Sequence, residues 1–279
     1  MKISIALPSY NYGHFLEECL DSIYQQDYPD YEVLIADGGS TDDSLNIINR
    51  ICRKDKRFQL VSAGDEGQAD AVAKALAMAT GDIFCFINAD DRYLCHDALS
   101  HVAAAFQGYP QADVVGFGGY YIDSQSKYIK PVSLRYHPLD SIALMKYRTA
   151  VLQPATFWRR HVQEAVPFRT DFHYVFDALF FYEAYCRFSW LELSKPVAGY
   201  RLHAVNKSLQ VVPKRIYELA KFEQLKFGSQ SFRAFYLRMV GLTAGILRKI
   251  PVVGGHLCRY LYKIVNSLAF ITCYRLPSI

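Results

Sequence analysis

The chain has 279 residues, of which 51% are hydrophobic and 21% are charged, and its formal net charge is +4 at pH 7. This length and apolar content are typical of one large domain with an appendage, and no window is long and uncharged enough to predict a helix that crosses a bilayer. The seven cysteines form no C-x-x-C pair, and several lie within apolar runs, which predicts reduced thiols in a cytoplasmic protein rather than a disulfide framework.

Apolar runs and helical stripes alternate from the first residues onwards. A strand is predicted immediately after Met1, which leaves no room for a signal peptide. The predicted strands of the first half are Ile3–Leu7, Tyr31–Ala36, Phe58–Ser62 and Ile83–Ile87, followed later by Asp113–Phe117. Amphipathic helices are predicted between them, and this alternation predicts an α/β fold: a doubly wound, mostly parallel sheet with helices on both faces.

Beyond Gly118 the pattern becomes mixed. Two short extended segments around Ser124–Ser126 predict a hairpin, and Gln153–Trp158 is predicted to be extended. A strongly aromatic helix is predicted over Phe172–Phe188, with Asp177 as its early acid, and a last strand is predicted over Leu191–Tyr200.

Polar loops follow the predicted strands at corresponding positions, at Pro8–Asn11, Asp37, Asp65 and the pair Asp90 and Asp91. Because the carboxyl ends of parallel strands meet at one edge of a sheet, these loops are expected to lie together. Two adjacent carboxylates repel each other unless a hard divalent cation or hydrogen bonds compensate them, although a solvated turn is the alternative interpretation. The first loop lacks the G-x-G-x-x-G motif of dinucleotide-binding folds.

Seven motifs occur in an order that resembles the inverting family 2 glycosyltransferases: P-S-Y-N, D-G-G-S-T-D, D-E-G-Q-A-D-A-V, N-A-D-D, Q-P-A-T-F, Asp177 and Y-R-L-H. The resemblance covers roughly residues 1–208. It implies a GT-A fold and the transfer of a sugar from a nucleotide-diphosphate donor, with inversion at the anomeric carbon. By the same resemblance, the default donor is a UDP-sugar and the cofactor is Mn²⁺ or Mg²⁺.

The resemblance assigns a first group of residues to the nucleotide pocket of the donor. Contacts with the base and ribose are assigned to Pro8, Tyr10, Asn11 and Asp37, and the lining of the pocket to Asp65 and Gly67. From the residues alone, both aspartates are also compatible with a purely structural role in a turn. Many relatives have an Arg-Asn pair where this chain has Ala69-Asp70, and this departure leaves recognition of the base open.

A second group is assigned to the metal and to the chemistry. Asp90 and Asp91 match the metal-binding aspartates of the family, with Asp91 expected as the direct ligand and Asp90 nearer the ribose. His203 matches a histidine that completes the metal or diphosphate site in some GT-A enzymes. A structural histidine is the alternative for His203. Asp177 matches the acid that deprotonates the acceptor hydroxyl, and an inverting transfer needs one such base and no covalent intermediate.

The carboxyl-terminal segment has a different composition, because no acidic residue follows Glu223. Two basic amphipathic stretches lie within Phe232–Ile279, a pattern typical of helices in a membrane interface, with packing on the catalytic domain as the alternative. We therefore predict a catalytic domain over residues 1–210, with a nucleotide-sugar half at about 1–118 and an acceptor half at about 119–210. A helical basic extension over 211–279 is predicted to contact an anionic membrane.

The predicted function is that of a glycosyltransferase at the inner face of the cell membrane. Its predicted partners are a nucleotide-sugar donor and a glycan or lipid-linked glycan acceptor, and no nucleic acid is expected. One alternative is a nucleotidyltransferase, although that class usually has a Gly-rich basic loop after the first strand. The other is a non-catalytic sugar-nucleotide-binding relative, against which the acids Asp90, Asp91 and Asp177 argue.

Overall fold

The computed structural model describes residues 1–132, 151–203, 212–227, 238–239 and 242. The chain divides into two compact units. The first comprises Met1–Tyr136 and Ala150–His203, and the second comprises His137–Thr149 and Ala204–Ile279. All of the strands described below belong to the first unit.

The first half of the first unit alternates strand and helix, as the sequence predicts. Each strand is a short apolar run, and each helix presents an apolar stripe to the sheet. Its elements are β1 (Ile3–Ser9), α1 (Gly13–Tyr24), β2 (Tyr31–Asp37), α2 (Ser44–Lys54), β3 (Phe58–Ala63), α3 (Gln68–Ala77) and β4 (Ile83–Phe86).

The second half is mixed and contains shorter elements. In chain order these are β5 (Arg92–Tyr93), α4 (Ala98–Gly108), β6 (Val114–Ile122), β7 (Tyr128–Pro131), a 3₁₀ turn (Gln153–Ala155), β8 (Thr156–Arg159), α5 (Arg160–Ala165), α6 (Phe176–Arg187) and β9 (Trp190–Arg201). The predicted hairpin is present as β6 and β7, which pair in the antiparallel sense.

Two local predictions are corrected by the structure. The aromatic helix predicted from Phe172 begins only at Phe176, because the preceding residues form a turn in which the Phe172 amide donates to the Arg169 carbonyl at 3.2 Å. The extended segment predicted from Gln153 begins at Thr156, after the 3₁₀ turn. Asp177 therefore lies in the first turn of its helix, not in the second.

One nine-stranded sheet runs through the first unit in the order β3-β2-β1-β4-β8-β6-β9-β5, with β7 added beside β6. The block β3-β2-β1-β4 is entirely parallel, and β6 pairs with β9 in the parallel sense. The strand β8 joins the two parallel blocks, since it is antiparallel to both β4 and β6. The predicted α/β sheet with a parallel first half is therefore confirmed.

The core lies on both faces of the parallel block. Every residue of β1, β2 and β4 is buried, as expected for strands covered by helices on both sides. On one side, Phe86 of β4 contacts the rings of Phe168 and Phe176, with centroids 5.7 and 6.0 Å away. These ring contacts hold the start of α6 beside the carboxyl end of β4.

The second unit contains α7 (Val212–Phe227), whose residues Ile216, Leu219 and Ala220 are buried at helical spacing. Nothing in the described part of the chain forms a helix long and apolar enough to span a membrane. The predicted amphipathic pair within Phe232–Ile279 lies outside the described residues, apart from residues 238, 239 and 242.

Candidate active site

The loops that follow β1, β2 and β4 leave the sheet at one common edge. In the strand register Ser9 lies opposite Asp37, and the Gly38 amide donates to the Ser9 carbonyl at 2.8 Å. The Ile87 amide likewise donates to the Ala6 carbonyl at 3.0 Å, so that β4 ends beside β1. Pro8 is buried within β1, just before this edge.

The first two loops are held together by Asp37, which is fully buried at the end of β2. Its carboxylate accepts hydrogen bonds from the Gly39 and Ser40 amides at 3.0 and 2.7 Å and from the Ser40 hydroxyl at 2.7 Å. The same hydroxyl oxygen accepts from the Asn11 amide at 2.8 Å, and the Asn11 side chain accepts from the Thr41 amide at 2.8 Å. Within the protein, Asp37 therefore builds the loop, which is the structural role that the sequence left open.

Tyr10, Gly38 and Asp65 lie close together in the next part of this edge. A Cβ atom placed on Gly38 would lie 3.0 Å from the Asp65 carboxylate and 3.1 Å from the ring of Tyr10, so a larger residue would press on both side chains. Tyr10 itself is 57% exposed. The Gly67 amide donates to Asp65 at 2.8 Å, and a Cβ atom on Gly67 would lie 3.1 Å from Nδ1 of His173. Tyr10, Asp65 and Gly67, predicted to lie in one pocket, are thus linked through close contacts.

Asp70, at the departure from the family pattern, has a local role. It lies in the first turn of α3, where it accepts from the Glu66 amide at 3.0 Å and pairs with Lys74 at 2.8 Å. An acid at this place stabilises a helix amino terminus. The residue therefore supports the start of α3.

The acidic pair after β4 is buried, with Asp90 7% and Asp91 1% exposed. One oxygen of Asp91 accepts from the Arg201 amide at 2.9 Å, and the other accepts from the Asn88 side chain at 3.2 Å. Oδ2 of Asp90 lies 2.9 Å from Nε2 of His203. Burial, together with the charge of Asp90, raises the pKa of Asp91 well above its ordinary value. The hydrogen bonds that Asp91 accepts therefore do not offset the cost of burying its charge beside Asp90.

The donor set of this pair fits a divalent cation that takes its other ligands from a substrate. Among the described residues no cluster of three or more His, Cys, Asp or Glu side chains with metal-binding geometry occurs. Mg²⁺, however, is often bound through one or two carboxylates while substrate phosphates supply further oxygens. Asp90, Asp91 and His203 offer the one or two carboxylates that such a site needs, and a cation bound there would lower the pKa of Asp91.

Several polar residues around the pair were not assigned to the site from the sequence. The side-chain amide of Gln68 donates to the side-chain oxygen of Asn88 at 2.6 Å. The side-chain nitrogen of Asn88 donates to Gln153 at 3.0 Å and to Asp91 at 3.2 Å. The Gln153 side-chain amide donates in turn to the Phe86 carbonyl. These side chains join the start of α3 to the acidic pair, and each lies in a motif that carries the family resemblance: D-E-G-Q-A-D-A-V, N-A-D-D or Q-P-A-T-F.

Tyr12 also belongs to this neighbourhood. Burial raises the pKa of its hydroxyl, and the charges of Asp90 and Asp91 raise that pKa further. Its ring lies 6.1 Å from the ring of His203 in an edge-on arrangement. Aromatic side chains thus flank the acids.

Asp177 lies in the first turn of α6 and is half-buried, and its carboxylate accepts from the Ala178 amide at 2.8 Å. The adjacent Phe176 packs on Phe86, which ends β4 just before the acidic loop. His173, four residues earlier, lies beside Gly67, where an added Cβ atom would be 3.1 Å from its Nδ1. The start of α6 therefore lies near both loops.

A mixed α/β sheet with an acidic pair at the carboxyl end of β4 is the class of structure observed, and comparison with known proteins identifies the family. The family model for glycosyl transferase family 2 matches residues 4–186. A PGL/p-HBAD biosynthesis glycosyltransferase of Mycobacterium bovis (strain BCG / Pasteur 1173P2) is 36% identical over 113 residues, which are 40% of this chain and 44% of that relative. The chain therefore belongs to glycosyl transferase family 2, and the matched segment spans less than half of this curated relative.

Solved structures agree on the fold. S. aureus TarS in complex with UDP matches with a TM-score of 0.62 at 20% identity, over 90% of this chain and 76% of that chain. The mannosyltransferase PcManGT from Pyrobaculum calidifontis, in complex with GDP-Man and Mn²⁺, matches with a TM-score of 0.59 at 20% identity, over 100% of this chain and 76% of that chain. The fold is that of the GT-A glycosyltransferases.

Proposed function

We propose that the chain transfers a sugar from a nucleotide-diphosphate donor, a UDP-sugar in the first instance, to a hydroxyl group of a polysaccharide or lipid-linked acceptor. The transfer inverts the anomeric carbon and depends on Mn²⁺ or Mg²⁺. The observation that carries the proposal is the buried pair Asp90 and Asp91, with His203 2.9 Å from Asp90, at the edge where the loops after β1, β2 and β4 leave the sheet.

The donor part of the proposal is supported by both the loops and the neighbours. Tyr10, Asn11, Asp37, Asp65 and Gly67 lie in three linked loops, which follow β1, β2 and β3. TarS was solved with UDP, and PcManGT with GDP-Man and Mn²⁺. We assign the base and ribose to these loops and the diphosphate to the side of Asp91 and His203.

The residues have separate tasks in the transfer. Asp91 and His203 would hold the metal ion, with Asp90 beside the ribose, and the bound cation offsets negative charge that develops on the diphosphate. Asp177 accepts the proton of the acceptor hydroxyl as that oxygen bonds to the anomeric carbon. The bond from this carbon to the diphosphate oxygen breaks, and the nucleoside diphosphate leaves with the bonding electrons.

The test measures nucleotide release. A thermal-shift panel of UDP- and GDP-sugars with Mn²⁺ or Mg²⁺ identifies the donor, because binding to the folded state raises the midpoint of unfolding. Release of the nucleoside diphosphate is then measured with and without EDTA, and chelation is expected to abolish it. Release at full rate in EDTA would overturn the metal assignment.

The proposed base has a matched control on the same helix. Asp177→Asn is expected to lower turnover about 10²–10⁴-fold while donor binding persists, because only the proton acceptor is lost. Glu183→Gln changes another half-buried acid of α6 and is expected to leave turnover near wild type. Turnover of Asp177→Asn within a factor of a few of wild type would remove it from the mechanism.

The same assay separates the alternatives. A nucleotidyltransferase would release pyrophosphate from a nucleoside triphosphate and leave the nucleotide sugar intact. A non-catalytic relative would bind the nucleotide sugar in the thermal-shift panel and release nothing. The proposal requires release of a nucleoside diphosphate.

We further propose that the extension over 211–279 places the enzyme at the inner face of the cell membrane. The support is compositional, since the cations of Phe232–Ile279 are accompanied by no acidic residue and suit anionic lipid head groups. The full chain is expected to sediment with phosphatidylserine-containing liposomes, and a chain truncated before Phe232 is not. Equal sedimentation of both would contradict the membrane role.

A further inference from the structure

Arg201, the last residue of β9, is a buried cation beside the acidic pair. The residue is 1% exposed and its side chain is fully buried. A buried charge is costly unless it is paired and hydrogen-bonded. The contacts of Arg201 therefore indicate what the fold gains from retaining it.

The first set of contacts holds the loop of the acidic pair. The side-chain Nε of Arg201 donates to the Asp90 carbonyl at 2.6 Å, and its main-chain amide donates to the Asp91 carboxylate at 2.9 Å. Two residues further on, His203 contacts the Asp90 carboxylate. The end of β9 thus fixes the main chain of one acid, the carboxylate of the other, and the position of the histidine.

The second set of contacts reaches two other segments. One terminal nitrogen of Arg201 donates to Glu18 of α1 at 2.6 Å, and the other donates to the Ser126 hydroxyl at 2.8 Å and to the Asp123 carbonyl at 3.1 Å. The Ser126 hydroxyl also donates to Glu18, at 2.5 Å. Arg201 therefore links the acidic loop to α1 and to the turn of the β6–β7 hairpin.

We propose that Arg201 is a positioning residue that sets the geometry of Asp90 and Asp91 for the metal ion and the diphosphate. Its guanidinium holds the main chain at Asp90, and its main-chain amide orients the Asp91 carboxylate. The inference rests on the proposed function in one respect, namely that Asp91 holds the metal ion and Asp90 lies beside the donor. The link to the hairpin turn further means that a change at Ser126 reaches the metal site through Arg201.

The test compares two arginines with similar contacts at opposite ends of β4. Arg159 pairs opposite Ile83 at the amino end of that strand, and its guanidinium donates to the carbonyls of Ala112, Phe106 and Pro110. Arg201→Lys and Arg159→Lys each keep the charge and lose the fork of donors. Both variants are expected to lose stability, and only the first is expected to disturb the acidic loop.

The first measurement needs neither metal nor substrate. The Asp91 amide donates to the Asn88 carbonyl at 3.0 Å, so hydrogen exchange of a peptide over residues 86–93 reports the order of this loop. Exchange is expected to be several-fold faster in Arg201→Lys and unchanged in Arg159→Lys. Equal exchange in the two variants would overturn the positioning role. Ser126→Ala, which keeps the guanidinium and removes one partner, is expected to give a smaller acceleration and serves if Arg201→Lys does not fold.

The second measurement is the Mn²⁺ concentration that gives half-maximal UDP binding. Loss of a residue that orients metal ligands typically weakens metal affinity by about 10–100-fold, and Arg201→Lys is expected to fall in this range while Arg159→Lys stays at wild type. A wild-type protein that binds no nucleoside diphosphate would refute the proposed function, and the exchange comparison would still decide the role of Arg201. An unchanged Mn²⁺ requirement in Arg201→Lys would overturn its role at the metal.

Discussion

Both ends of the parallel strands bury acids, and one acid from each end, Glu32 and Asp91, can be compared by its hydrogen bonds. At the amino end Glu32 of β2 is 5% exposed, and its carboxylate accepts from the Lys2 ammonium at 2.7 Å, the Ser4 hydroxyl at 2.6 Å and the Thr80 amide at 2.7 Å. At the carboxyl end Asp91 is 1% exposed, and it has one amide and one longer side-chain contact.

The pKa values differ in direction accordingly. Burial alone would raise the pKa of Glu32, but the hydrogen bonds from Lys2, Ser4 and Thr80 outweigh it and hold the pKa below its ordinary value. Burial and the neighbouring Asp90 raise the pKa of Asp91 instead. The two acids are therefore alike in burial and differ in how completely they are hydrogen-bonded, which makes Asp91 the candidate for a functional role.

The largest expected effect is loss of activity in Asp91→Asn. The amide keeps the size of the side chain and removes the charge that would hold the cation, so nucleotide release is expected to fall about 100-fold or more. The midpoint of thermal unfolding is expected to stay unchanged or to rise, because a buried, poorly compensated charge has been removed. A drop in both stability and activity would place Asp91 with Glu32 as a structural acid.

The parallel strands that carry both acids could be predicted well from the sequence. The strands β1, β2 and β4 are uninterrupted apolar runs because helices cover both of their faces, and such runs are visible without coordinates. The start of α6 was predicted four residues too early, since buried aromatic residues of a turn, such as Phe172, resemble those of a helix.

The contacts of the site were less accessible to sequence analysis. Asp90 and Asp91 are neighbours in the chain and could be found locally, but Arg201 reaches Asp91 across 110 residues. The Glu32 cluster likewise depends on Lys2 and Thr80, which are brought together only by the sheet register. Hydrogen bonds between distant segments leave no local pattern in the sequence. The acids after β4 could therefore be found from the sequence, but the groups that donate hydrogen bonds to them could not.

The next largest effect is loss of stability in Glu32→Gln. The substitution removes the charged acceptor of Lys2, Ser4 and Thr80, and it is expected to lower the free energy of unfolding by about 1–3 kcal/mol. Nucleotide release per folded molecule is expected to remain at the wild-type level, because the amino end lies away from the acidic loop. Urea unfolding measures the loss of stability and the release assay measures the unchanged activity, a result opposite to that expected for Asp91→Asn.

The pH dependence of that stability difference sharpens the comparison. The folded-state pKa of Glu32 lies below its ordinary value of 4.5, so its contribution is fully present above that pH and is lost as the pH falls through the folded-state pKa. The difference in unfolding free energy between wild type and Glu32→Gln is therefore expected to be constant from neutral pH down to about 4.5 and to shrink below it. A difference that grew on acidification would mean that the pKa of Glu32 is raised, as that of Asp91 is.

The smallest effect concerns Asp37, which lies at the carboxyl end and is nevertheless hydrogen-bonded as completely as Glu32. Ser40→Ala removes the hydroxyl that donates to Asp37 and accepts from the Asn11 amide. It is expected to cost about 1 kcal/mol of stability and to weaken donor binding a few-fold, because the Asn11 loop loses one of its two anchors.

Ser100→Ala is the matched control, since its hydroxyl donates to Asp27 at 2.7 Å outside the loops of the site. It is expected to leave donor binding unchanged. If Ser40→Ala reduced turnover as severely as Asp91→Asn, Asp37 would belong with the acids that act on the donor. A modest effect on donor affinity alone would instead separate two tasks at one edge of the sheet. Asp37 would hold the shape of the loops that contain Asn11 and Ser40, and Asp91 would supply charge for the transfer.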